Sequence, residues 1–274
     1  MNLRWVQLKG NDMAKAKKIG LVLGSGGARG FCHIGIIEVL QENNIPIDIV
    51  TGCSMGAMVA GGLAAGVTTE KMREVASKVT NFTVFDIDIR NIRKMGGFAK
   101  GNRSMKLYKQ YVGESLIEEC EIKLAIIATD LKNNELYVFK DGPIWRAVRA
   151  SMSIPGLFHP ICEDDKVLVD GGLLKRMPIA EARELGADVI IAVDATGPPS
   201  CDFNCHSTLK VFEQAYKIID WKTAQYEGKD ADILIVPKVT RSALRFKNNE
   251  EVIQAGRDAA TEALPQILKL VKNK

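Results

Sequence analysis

The sequence predicts an α/β fold whose mainly parallel sheet is covered by helices on both faces. Three observations lead there: short, continuous apolar runs alternate with helical patterns, the runs are the length of buried strands, and the first two end in Gly-rich turns. With 46% hydrophobic and 26% charged residues in 274, the composition is that of an ordinary globular chain with ample material for a core. The net charge of +4 is modest, and three His and few aromatics give no base-stacking platform beside a basic stripe, so nucleic acid is not an expected partner.

Residues 1–17 carry no periodicity and read as a poorly structured extension. Met13 opens a second start-like segment there, ahead of a single domain over 18–274. Ile19 to Leu23 reads as the first strand and runs into Gly24-Ser25-Gly26-Gly27-Ala28-Arg29-Gly30, with a helix from about Phe31 to Glu42. Ile47 to Val50 is the second strand, ending in Thr51-Gly52-Cys53-Ser54-Met55-Gly56, and an Ala- and Gly-rich helix follows. Further strands are expected at Ile122 to Ala128, Leu136 to Phe139, Val167 to Val169, Val189 to Val193 and Ile233 to Val236. The helical patterns between and after them cover Ile144 to Ala150, Ile179 to Leu185, Thr208 to Tyr226 and Glu250 to Val271. In open sheets of this kind ligands bind at the carboxyl ends of strands, which is where both glycine motifs lie.

No apolar run of signal-peptide length precedes Lys15, Lys17 and Lys18, and Met55 to Val67 is too short and small-sided to span a bilayer, so the expected location is the cytoplasm. The six scattered Cys read as reduced thiols. One segment stands apart. Between Arg90 and Lys109 lie seven basic residues and no acidic one, interleaved with Ile92, Met95, Phe98 and Met105. A solvated basic face is the plain reading; a mobile flap making peripheral contact with anionic lipid headgroups is the sharper one.

Gly52-Cys53-Ser54-Met55-Gly56 is a G-x-S-x-G between a strand and a helix, the context in which a nucleophile elbow projects its Ser from the top of a sheet. Taken alone, a plain strand-to-helix turn could look the same. A serine needs a base. His33 and His159 read as hydrogen-bonded structural residues, and His206 is the one histidine that follows an acid in the order a triad needs. Asp170 is the stronger candidate, an acid closing the run Val167-Leu168-Val169 with Gly171-Gly172 directly after it, although an Asp-Gly-Gly by itself is a turn.

Together these features resemble the patatin-like phospholipase family, from about Ile19 to Ile235. The residues that carry the resemblance are Gly26-Gly27-Ala28-Arg29-Gly30 with His33 and Gly35, the Gly52 to Gly56 elbow, Ala150 to Pro160, and Asp170-Gly171-Gly172 with Pro178. The resemblance implies a three-layer α/β/α sandwich, a Ser54/Asp170 dyad without histidine, and hydrolysis of lipid acyl esters; no cofactor or metal is expected, and no oxygen-ligand loop of the EF-hand type suggests calcium. Lys175 and Arg176 stand where many members carry Asn.

On that reading Gly26, Gly27 and Ala28 are the expected oxyanion donors. Gly24, Arg29, Gly30, Gly52, Gly56, Gly171 and Gly172 support the site, with Arg29 bracing its loop or meeting a lipid phosphate. Two rivals are a nucleotide-binding protein and a lipid-binding regulator that kept the fold without turnover. The first expects an acid at the end of the second strand to hold a ribose, whereas Asp48 falls inside that strand. Cys201, Cys205 and His206 suggest zinc, but no fourth ligand or matching pair is evident, and a loop with free thiols is preferred.

Overall fold

The computed structural model describes residues 17–88, 96–199 and 208–272. Met13 and nearly all of the expected extension lie outside these, as do Arg90, Ile92, Arg93, Lys94 and Met95 of the basic segment and the Cys201, Cys205, His206 group.

The first half of the chain runs β1 (Ile19–Leu23), α1 (Cys32–Glu42), β2 (Ile49–Cys53), α2 (Met55–Ala64), α3 (Thr69–Lys78), α4 (Asn81–Val84), β3 (Gly97–Ala99) and α5 (Asn102–Val112). The second runs β4 (Lys123–Asp130), β5 (Glu135–Phe139), α6 (Ile144–Ser151), β6 (Gly156–Phe158), β7 (Ile161–Glu163), β8 (Lys166–Asp170), α7 (Ile179–Glu184), β9 (Val189–Val193), α8 (Thr208–Glu227), β10 (Ile233–Ile235) and α9 (Asn249–Lys272). Phe31 closes a 3-10 turn over Gly27–Phe31 and does not open α1, a one-residue correction to the expected helix.

The main sheet has the order β10-β9-β1-β2-β4-β8-β7, with β5 also on β4. From β10 to β4 every pairing is parallel; β5, β8 and β7 are antiparallel. Because successive side chains point to opposite faces and both faces are covered, β1 and β9 are apolar throughout. Ile19, Leu21 and Leu23 of β1 and Val189, Ile191 and Val193 of β9 join one core with α1, α2 and α9. Val22 of β1 and Ile190 and Ala192 of β9 face the other core, under α7 and α8. The result is a three-layer α/β/α sandwich. Asp48 precedes β2 instead of lying within it, and its carboxylate accepts the Ile19 N–H at 2.7 Å, tying the start of β1 to its neighbour.

β4 is the strand that decides the site. Ile126 to Asp130 pair with β5 along one edge. Along the other edge Lys123 to Ile127 pair with β2 and Ala128 to Asp130 with β8. Since β2 is parallel to β4 and β8 antiparallel, β2 and β8 run towards each other on a shared edge. They end at Cys53 opposite Ile127 and Asp170 opposite Ala128, on adjacent residues of β4.

The described part of the basic segment carries β3 and α5. α5 buries Met105 and Tyr108, while Lys100 pairs with Asp88 at 3.4 Å and Lys109 with Glu114 at 2.6 Å. Among the described residues no helix is long and apolar enough to cross a membrane.

Candidate active site

The head-on meeting of β2 and β8 places the first residue after β2 against the last residue of β8. Ser54 Oγ donates to Asp170 Oδ2 at 2.6 Å, and both residues are buried. Ser54 has φ 56°, a conformation uncommon for a residue with a side chain and a mark of the strained elbow. Its own N–H donates to Ser151 Oγ at 2.8 Å, which fixes the turn from the side of α6. Gly56 is required because a Cβ there would overlap the Leu23 carbonyl at the end of β1; one at Gly52 would lie 2.6 Å from Gly56 O.

Asp170 is held on all sides. Its Oδ1 accepts the Gly172 N–H at 2.8 Å and faces the Cys53 thiol at 3.7 Å, and its N–H donates to Ser153 O at 2.9 Å. Burial pushes its carboxyl above the usual carboxylate range, while the bonds from Ser54 and Gly172 and the charge of Arg176 oppose that rise. A raised pKa improves an otherwise weak base. Cys53 is fully buried, and desolvation drives its thiol well above its ordinary range, which suits packing and not nucleophilic attack.

No histidine approaches the dyad among the described residues. His33 Nε2 bonds Gly24 O at 2.8 Å, and burial lowers its pKa to about 4, so it is a neutral strut under the glycine loop. His159 is buried with its carbonyl bound by Arg149 at 3.0 Å.

The glycine loop lies beside Ser54. The Gly24 N–H donates to Val193 O at 3.0 Å and the Ser25 N–H to Arg176 O at 3.1 Å, which anchors the loop to the sheet. Among the described residues the amides of Gly26 and Gly27 have no partner, whereas the Ala28 N–H donates to Ala243 O at 2.7 Å. Of the three amides named from the sequence, that of Ala28 is therefore engaged and those of Gly26 and Gly27 are open. The cause is a segment not singled out in the sequence, 241–246, which packs over Gly27. Arg29 takes the bracing role: its Nε donates to Arg241 O at 2.7 Å and its guanidinium also reaches Thr196 O.

An apolar cleft opens over the nucleophile. Gly27, Met55, Val84, Phe85, Met152, Ile154, Leu157, Phe158, Ala243, Leu244 and Phe246 line it, and Ser54 is its one polar side chain. Phe85 stacks on Phe158 at 5.7 Å and meets Phe246 edge-on at 5.9 Å, so three distant segments share one aromatic wall. Sequence reasoning missed this wall and the Ser151 and Arg176 contacts, although Ser151 belongs to a quoted motif.

The model of the patatin-like phospholipase family matches residues 21–183, a span that holds both Ser54 and Asp170. The chain belongs to the patatin-like phospholipase family. Family relatives include the lysophospholipase nte1 of Emericella nidulans, 35% identical over 182 residues that make up 65% of this chain and 12% of that protein. An uncharacterized NTE family protein of Mycobacterium tuberculosis is 35% identical over 184 residues, 67% of this chain and 51% of its own. The chain thus spans about half or far less of the length of these curated relatives. Among solved structures, human GIVD cytosolic phospholipase A2 overlays 94% of this chain with a TM-score of 0.52 at 10% identity, covering 60% of that chain. VipD from Legionella pneumophila overlays 92% with a TM-score of 0.50 at 16% identity, covering 67% of its chain. At such identities the likeness is one of fold.

Proposed function

We propose that this chain hydrolyses acyl esters of lipids, in the manner of a phospholipase A or lysophospholipase, through a Ser54/Asp170 dyad. The observation that carries the reading is the 2.6 Å bond from Ser54 Oγ to Asp170 Oδ2 at the base of a cleft that is otherwise apolar. Asp170 takes the hydroxyl proton as Ser54 Oγ attacks the ester carbonyl. The negative charge that forms on the carbonyl oxygen meets the Gly26 and Gly27 amides and the N-terminal end of α2. Collapse expels the alcohol, which recovers the proton from Asp170, and leaves an acyl-Ser54. Water, deprotonated by the same carboxylate, releases the fatty acid.

The apolar wall formed by Phe85, Leu157, Phe158 and Phe246 suits the acyl chain. The family and the relatives named lysophospholipase agree with a lipid substrate. The test is hydrolysis of nitrophenyl esters from acetate to palmitate by wild type and Ser54→Ala. Turnover with a chain-length preference, lost in the variant, is expected. A wild type that binds such lipids without cleaving them would instead favour the non-catalytic regulator.

Leu244 lines the cleft and is 41% exposed, and the chain on either side of the cleft residues Val84 and Phe85 exposes Phe82, Ile87 and Phe98 by 75%, 65% and 53%. Arg103 lies over the Phe82 ring at 4.4 Å. The only acids between Asn81 and Val112 are Asp86 and Asp88, both buried, with Asp86 accepting the Gly101 N–H at 2.5 Å and the Asn102 N–H at 2.8 Å at the start of α5. Exposed apolar groups among basic ones match an anionic lipid surface. In flotation assays the protein should partition onto vesicles containing phosphatidylglycerol, and Phe82→Ser with Leu244→Ser should reduce that at least several-fold. Equal partition of wild type and variant would remove this surface from the reading.

A further inference from the structure

Behind the dyad, on the side away from the acyl cleft, lies a buried charged group that the mechanism above leaves unused. Arg176 is 6% exposed, and its NH1 donates to Asp220 Oδ1 on α8 at 2.7 Å. Its backbone is clamped as well: the N–H faces both Glu227 carboxylate oxygens at 3.1 Å and the carbonyl accepts the Ser25 N–H at 3.1 Å. The guanidinium reaches towards Asp170 across Gly172. A Cβ at Gly172 would lie 3.0 Å from Asp170 Oδ1, 3.3 Å from Arg176 NH1 and 3.4 Å from Ser25 Oγ, so the missing side chain is what lets these polar atoms converge.

We infer that Arg176, clamped through its backbone by Glu227 and Ser25, is a positioning residue that keeps Asp170 in the carboxylate form a base requires; the inference rests on the dyad reading. A buried carboxylate close to fixed positive charge is favoured in its ionised form, while burial alone would protonate it. The other groups around this pocket are Cys53 on β2, Tyr216, Asp220 and Glu227 on α8, Asp194 after β9, and Lys175, which acts on Glu227 and is itself paired with Glu181 at 2.6 Å. Arg176 is the cation that acts on Asp170. Burial raises Asp220 to about 6, with Arg176 opposing and Asp170 adding to the rise, so the Asp220 charge works against ionisation of Asp170 and Arg176 works for it.

The test is the pH dependence of kcat/KM for a nitrophenyl ester, measured on folded wild type, Arg176→Gln, Arg176→Lys and Asp220→Asn. Arg176→Gln keeps hydrogen-bonding capacity and removes the charge, and its acid limb should move up by about one pH unit. Arg176→Lys should bring the limb back towards wild type. Asp220→Asn keeps the cation without its counter-ion, and its limb should not rise; it carries the test if Arg176→Gln does not fold. A limb shared by wild type and Arg176→Gln, or one that rises in Asp220→Asn, overturns the inference while the dyad reading stands. An inactive wild type removes both.

Discussion

Asp170→Asn is expected to lower kcat for ester hydrolysis by roughly 10²- to 10⁴-fold, the usual contribution of a positioned general base. The amide is nearly isosteric and can still accept the Gly172 N–H, but it has no basic oxygen for the Ser54 proton. The fold should not suffer. Burial raises the Asp170 pKa in the folded chain above its unfolded value, so the ionised side chain destabilises the fold at pH above the folded pKa. That penalty fades as pH falls through the folded pKa. A neutral Asn escapes it, so the variant should melt at or above the wild-type temperature at neutral pH, with the gap closing on acidification. Full activity in the variant would dismiss the dyad; a lower melting temperature at neutral pH would show that the carboxylate is better compensated than its burial implies.

Gly56→Ala is expected to be the most damaging substitution in the elbow outside the dyad. The added methyl would overlap the Leu23 carbonyl and lie 2.6 Å from Gly24 O, backbone atoms that cannot turn aside as a side chain does. Either α2 lifts, taking Ser54 with it, or β1 yields. Overpacking against backbone costs about 3 kcal/mol or more, a large part of the stability of a domain. Urea unfolding should show a lower midpoint, with esterase activity lost in the same protein. Gly66→Ala is the control, since nothing lies within 4 Å of its Cβ and its φ of +77° alone sets the cost at about 1–2 kcal/mol. If the two midpoints fall equally, the close approach at Gly56 is not what the elbow depends on.

The parts legible in the sequence were those with local causes. β1 and β9 match the predicted ranges because each is a short apolar run bounded by turn residues, and the strand-to-helix position of Ser54 follows from the glycines around it. The end of β4 was not legible: Thr129 and Asp130 are polar, yet they continue the strand because β5 and β8 pair with them. Asp130 is satisfied there by the Val167 and Lys132 N–H groups at 3.1 and 3.0 Å. Three-residue β3 and β6 have too little sequence to show a period, and they exist because they pair with each other. The cleft was invisible for a similar reason. Phe85, Phe158 and Phe246 come from three remote segments, and no pattern within any one of them announces a shared wall. Ala28 illustrates the limit at a single atom: its place in the loop marks it as a donor, but a carbonyl 215 positions further along takes the bond.

The head-on approach of β2 and β8 also bears on how the chain is made. Ser54 and Asp170 are separated by 116 positions, and neither is brought to the other by a local turn. A ribosome releases the nucleophile long before its base, and β4, the strand on which both must align, emerges between them. Non-local pairings of this kind form late, after most of the loop-closure entropy has been overcome. The nascent chain and any partly folded form therefore carry Ser54 without Asp170 beside it. On the proposed function, activity towards lipids would arise only when the sheet is complete, so the order of the strands would keep the chain inert through synthesis.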